Sequence, residues 1–209
     1  MPLYKTINPN SHTTVKIWKI TETFDELISP ITLRPENLQR VSGMKSELHR
    51  RGFISVRHLL AEFGYTDQDL FYDVYGKPHL KDGKHISITH SFTFSGVVVS
   101  ENLVGIDIEK QRQKIGVIAH KFMDYEYVYL DNKSSDYINK LTVIWCIKES
   151  LYKLFATPGL SFLQNTLVIP FNVGDSSTTA WIDYNDQKHK YHTEFFEFEG
   201  FTCAYAVPF

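Results

Sequence analysis

The run Gly105-Ile106-Asp107-Ile108-Glu109 constrains this chain more than any other stretch. After the glycine, isoleucine and acid alternate, and a period of two marks a strand with unlike faces. Ile106 and Ile108 then point to one side, Asp107 and Glu109 to the other. Two carboxylates one residue apart on one strand face can converge on a shared cation. Farther along, the period becomes helical. Ile144, Ile147, Leu151 and Leu154 fall on one stripe, and Trp145, Glu149 and Lys153 on a second, each four residues from the next. A third carboxylate thus stands one turn before a lysine on the same helix face. Taken singly, an acid-x-acid strand is commonly a solvated face, and an i,i+4 Glu–Lys pair is worth about 0.3–0.5 kcal/mol. Taken together, three carboxylates and a lysine are the side chains that Mg²⁺-dependent phosphate chemistry needs.

Composition narrows the partners. The 209 residues are 43% hydrophobic and 22% charged, an ordinary globular balance with length for one large domain or two small ones. The net charge of -2 provides no global basic field for nucleic acid or an anionic membrane, so a phosphate ligand must be held by local groups. Cys146 and Cys203 are far apart in sequence and form no C-x-x-C, which reads as thiols in a reducing compartment. The N-terminus lacks an apolar signal region and no stretch approaches membrane-spanning length; the expectation is a cytoplasmic protein. Nine histidines include no His-Glu-x-x-His and no third ligand at persuasive spacing, whereas the acidic cluster offers oxygen donors suited to Mg²⁺ or Mn²⁺.

Along the chain, residues 13–20 alternate as a first strand, and Thr23 caps a short helix through Leu27. A basic helical segment runs from Pro35 to Phe63, with Gly43 and Gly52 as points of weakness. Phe71 to Tyr75 reads as a strand before the Gly76-Lys77-Pro78 turn. His85 to Ser91 and Gly96 to Val99 read as strands, and Leu103 to Glu109 is expected to return against the latter as a hairpin. A helix near Val117 to Met123 is followed by the acid–lysine helix from about Tyr137 to Ala156, ended by Pro158-Gly159. Thr166–Phe171, Thr179–Tyr184, Lys190–Phe198 and Phe201–Val207 read as strands.

At this point the chain resembles a family. Gly-Ile-Asp-Ile-Glu followed by Trp145-x-x-Lys148-Glu149-Ser150-x-x-Lys153 resembles the 4'-phosphopantetheinyl transferases. Gly76-Lys77-Pro78 and Ile86-Ser87-Ile88-Thr89-His90-Ser91 are similar to two further motifs of that family, in the same order. The length is that of the larger, two-lobed class that activates peptide and polyketide synthases. The resemblance implies an α+β fold of two similar α/β lobes forming a pseudo-dimer, residues 1–100 and 101–209, with the active site at their interface, and it suggests a monomer.

The resemblance also implies the chemistry. A holo-[acyl-carrier-protein] synthase moves the 4'-phosphopantetheine of coenzyme A onto a serine of an acyl or peptidyl carrier protein and releases adenosine 3',5'-bisphosphate. Asp107, Glu109 and Glu149 would be metal ligands, Glu149 also the proton acceptor, and Lys153 a charge stabiliser. Lys77, Pro78, Thr89, His90 and Ser91 would border coenzyme A. Arg57, in Val56-Arg57-His58-Leu59-Leu60, would meet its 3'-phosphate, with Arg40 and Arg50 as weaker candidates. The Thr89-His90-Ser91 triplet departs from the family's more usual Ser-His-Ser but keeps the hydroxyl. Phe122-Met123-Asp124-Tyr125-Glu126 is similar to a Phe-x-x-x-Glu segment and makes Glu126 an alternative base, beside a metal-bound water. Two other functions stay open: a catalytically inactive carrier-protein-binding module, and a Mg²⁺-dependent nucleotide phosphohydrolase.

Overall fold

The computed structural model describes residues 3–172 and 174–209. The chain divides into two compact units, Met1–Asn102 and Leu103–Phe209.

In the first unit the elements are β1 (Leu3–Asn10), β2 (Thr13–Lys19), α1 (Phe24–Ile28), α2 (Pro35–Ser42), α3 (Glu47–Glu62), β3 (Leu70–Tyr72), β4 (Pro78–Leu80), β5 (His85–Ser91) and β6 (Phe94–Ser100). Thr23 caps α1 in a reciprocal box with Glu26. The basic segment is two helices, not one. Gly43 closes α2, and Ser46 restarts the chain as the cap of α3 by accepting from the His49 amide. The helix runs straight through Gly52, because there the missing side chain leaves room for a neighbour: a Cβ on Gly52 would lie 3.2 Å from Cγ of His90. An antiparallel sheet of order β1-β2-β6-β5 carries α3, and Trp18, Ile54, Val56, Leu59, Leu60, Val97 and Val99 pack in the shared core. β1 was not legible in the sequence. Its outer residues are mostly exposed and Pro9 interrupts its pattern, as an edge strand tolerates.

In the second unit the elements are β7 (Gly105–Lys110), α4 (Lys114–Ile118), 3-10 turns at Ala119–Lys121 and Tyr125–Val128, α5 (Tyr137–Phe155), α6 (Phe162–Asn165), β8 (Thr166–Val168), β9 (Ser177–Tyr184), β10 (Gln187–Phe198) and β11 (Phe201–Pro208). The sheet order is β7-β11-β10-β9-β8. The expected hairpin between residues 96–99 and 103–109 does not form. Both edges of β6 are taken, by β2 and β5, and β7 pairs with β11 from the far end of the chain. α5 stops at Phe155, before Pro158, with Ala156 in the left-handed conformation at φ 51°.

The two units repeat one connectivity. A strand leads into a long helix, two short or intermediate strands follow, and a closing hairpin returns its last strand antiparallel beside the first. This gives β2-β6-β5 in one unit and β7-β11-β10 in the other. Among the described residues, no helix is long and apolar enough to cross a membrane.

Candidate active site

The site in the second unit begins with a close approach. Register pairs Gly105 with Ala206, Asp107 with Ala204 and Glu109 with Thr202, so this face of β7 and β11 is lined by small residues beside the two acids. α5 lies against it. A Cβ on Gly105 would sit 1.9 Å from the Ser150 carbonyl oxygen. The Ser150 hydroxyl lies 3.0 Å from the Ala204 carbonyl, and the Cys146 thiol donates to the Thr202 carbonyl at 3.5 Å. The glycine is therefore required by packing: a side chain there would push the helix off the strand.

That approach brings the two stripes together. The Lys153 ammonium donates to Asp107 Oδ1 at 2.8 Å and to the Ile106 carbonyl at 2.9 Å. Glu149, one turn earlier, is pushed from its ordinary 4.5 up to about 7. Burial is the main cause; the charge on Asp107 adds to it, Lys153 opposes it, and Glu109 adds a smaller push. Four of the residues singled out in the sequence thus share one electrostatic field. The donor set is three carboxylates whose mutual repulsion a hard dication would relieve, which fits Mg²⁺ or Mn²⁺. Among the described residues, no group of three His, Cys, Asp or Glu side chains already stands in a metal-holding array. Lys153 is a cation that Asp107 meets.

The first unit holds the other predicted residues. Gly76, at φ 84°, makes the turn between β3 and β4. The Lys77 amide donates to Asp73 Oδ1 at 2.9 Å, and burial pushes the Lys77 ammonium below its ordinary range against the pull of Asp73. Pro78 opens β4. His79 lies 3.1 Å from Asp73 Oδ2, and His85 is pushed down by burial and by the charges of Lys77 and His79. At the end of β5, Thr89 and Ser91 are buried and His90 is exposed. The His90 ring sits over Gly52, 6.3 Å from the ring of His49. Arg57 is engaged within its own unit through two of its three guanidinium nitrogens, and its Nη2 has no hydrogen-bond partner among the described residues. It is 3% exposed, its Nε donates to Asp67 at 2.9 Å and its Nη1 to the Phe53 carbonyl at 3.0 Å. Asp67 also accepts from the Asn37 side chain and the Arg34 amide, so the pair locks the loops around α3. Arg50 covers the Phe24 ring at 3.6 Å, and Arg40 reaches over Phe53 and Tyr72.

Residues 103–206 match the 4'-phosphopantetheinyl transferase superfamily. Over 142 residues the chain is 30% identical to a 4'-phosphopantetheinyl transferase, gsp, of Aneurinibacillus migulanus, a match covering 62% of this chain and 54% of the relative. Through its second unit, this chain belongs to the 4'-phosphopantetheinyl transferase superfamily. It spans about half the length of the curated relative it matches.

Within the superfamily span, the sequence did not show that Lys148 and Glu126 form a buried pair. Lys148 is fully buried and its ammonium lies 2.8 Å from Glu126 Oε1. It also donates to the carbonyls of Phe122 at 2.6 Å and Thr166 at 3.0 Å. A signal was present: Lys148 lies four residues after Ile144 and three before Leu151, on the apolar stripe, where a charge needs a partner. Glu126 is 0% exposed, and its Oε1 also accepts from the Val168 amide. It is therefore not an alternative base. A carboxylate bonded to a lysine and a backbone amide in the interior meets no substrate proton.

Proposed function

We propose that this chain transfers the 4'-phosphopantetheine arm of coenzyme A to a serine hydroxyl of an acyl or peptidyl carrier protein and releases adenosine 3',5'-bisphosphate. What carries the reading is the joint placement of Asp107, Glu109, Glu149 and Lys153 on the β7–α5 seam of the unit that matches the superfamily. In the reaction the serine oxygen forms a bond to the phosphorus bearing pantetheine, and the bridging P–O bond to the nucleotide breaks. Glu149, with an ionisation near neutrality, accepts the serine proton. Lys153 stabilises negative charge that develops in the transition state. Asp107, Glu109 and Glu149 would hold Mg²⁺ or Mn²⁺, which when bound supplies charge neutralisation at the pyrophosphate. Lys77 and His90, with Pro78, Thr89 and Ser91 around them, would bind the coenzyme A end.

The repeated connectivity of the two units supports the larger, two-lobed class and a monomer. The reduced thiols of Cys146 and Cys203 support a cytoplasmic location. The test is mass spectrometry of an apo carrier protein incubated with the chain, coenzyme A and Mg²⁺. A gain of one phosphopantetheine on the carrier is expected. Release of the bisphosphate without that gain would mean hydrolysis instead, and no change would mean a binding module.

A further inference from the structure

Glu149 sits between two anchored neighbours on α5. On one side, Ser150 is held against β11 through the Ala204 carbonyl. On the other, Lys148 is held in the interior by Glu126 and by backbone carbonyls that come from two separate segments, Phe122 before α5 and Phe162 and Thr166 after it. Glu126 is itself fastened to the end of β8 through the Val168 amide, and its Oε2 accepts from the Asp124 amide at 3.3 Å. A buried ion pair is a weak source of net stability, because the desolvation of both ions offsets their attraction. It does fix geometry. The ammonium has one location in which its acid and its carbonyls are all satisfied, and that location sets the roll and axial position of α5. Successive helical residues are turned by about 100°. Anchors at 148 and 150 therefore bracket the direction in which residue 149 points, and Lys153 follows one turn on.

We propose that the Lys148–Glu126 pair is a positioning device that aims Glu149 and Lys153 at the Asp107 side chain, and that it acts on turnover beyond its effect on folding. The inference rests on the transferase reading for its kinetic arm only.

The experiment pairs the double variant Glu126→Gln/Lys148→Gln with Leu141→Ala. The double variant replaces both charges by neutral hydrogen-bonding groups. Leu141 is a buried apolar residue near the start of α5, seven residues before Lys148, and its truncation measures the effect of general destabilisation. Glu126→Gln alone keeps an acceptor for Lys148 and for the Val168 amide, and stands in if the double variant does not fold. Three quantities are read: the melting temperature, hydrogen exchange of the amides of residues 147–153, and the separate kcat and KM for coenzyme A. For the double variant, or Glu126→Gln in its place, we expect faster exchange across residues 147–153 than in Leu141→Ala at matched loss of melting temperature. We also expect kcat lowered on the order of tenfold or more with KM for coenzyme A nearly unchanged, since small misplacements of catalytic groups are costly. Leu141→Ala should keep kcat near that of the unaltered chain. If the folded double variant, or Glu126→Gln in its place, shows normal kcat, or exchange across 147–153 no faster than in Leu141→Ala, the pair is only structural and the proposal fails. If the unaltered chain transfers nothing to any carrier, the transferase reading fails instead, and the exchange comparison still decides the positioning role.

Discussion

Glu149→Gln should make the metal-free protein more stable, and increasingly so as pH rises. In the folded chain Glu149 ionises near 7, against 4.5 ordinarily, because it is buried beside Asp107 and Glu109. Between these two values the folded protein holds a proton that the unfolded chain has released, so raising pH drains stability from the folded state; above about 7 both forms are ionised and the loss is complete. With about 1.36 kcal/mol for each tenfold shift in proton affinity, the raised Glu149 costs on the order of 1 kcal/mol at pH 5.5 and about 3 kcal/mol at pH 8.5. Glutamine removes that cost at both. The difference between the two pH values, about 2 kcal/mol, cancels any pH-independent effect of the amide itself. The assay is urea unfolding of both chains in EDTA at the two pH values. Mg²⁺ added at pH 8.5 should then stabilise the unaltered chain more than the variant. A stability difference that does not change with pH would refute the reasoning that burial, reinforced by the charges of Asp107 and Glu109, raises Glu149.

Gly105→Ala places a Cβ 1.9 Å from a backbone oxygen of α5 and should cost about 3 kcal/mol or more, read by thermal unfolding. Arg57→Ala leaves Asp67 buried without its guanidinium and should destabilise by about 3–5 kcal/mol, while a direct phosphate role would instead weaken coenzyme A binding in a protein of normal stability. Lys153→Ala should keep the fold and lower turnover on the order of 10²–10³-fold in single-turnover transfer assays. Ala156→Gly relieves a left-handed helix terminus and should stabilise by about 1 kcal/mol in denaturant titrations with transfer activity unchanged.

What the sequence determined by itself was local. Alternation at 105–109 placed Asp107 and Glu109 on one face of β7, and helical spacing put Ile144, Ile147, Leu151 and Leu154 in the core, where all four are buried. Thr23 announced its helix because a cap and its box lie within four residues. Such patterns are readable because backbone period and capping depend on neighbours in the chain. What only the tertiary structure decided was which distant groups meet. The partner of β7 comes from the end of the chain, not from the adjacent β6, and no local pattern distinguishes one apolar edge from another. Arg57 looks the same in sequence whether it faces solvent or Asp67, and Glu126 the same whether it awaits a proton or holds Lys148. A charged side chain has its role set by desolvation and by the partner that compensates it, and both exist only once the chain has packed.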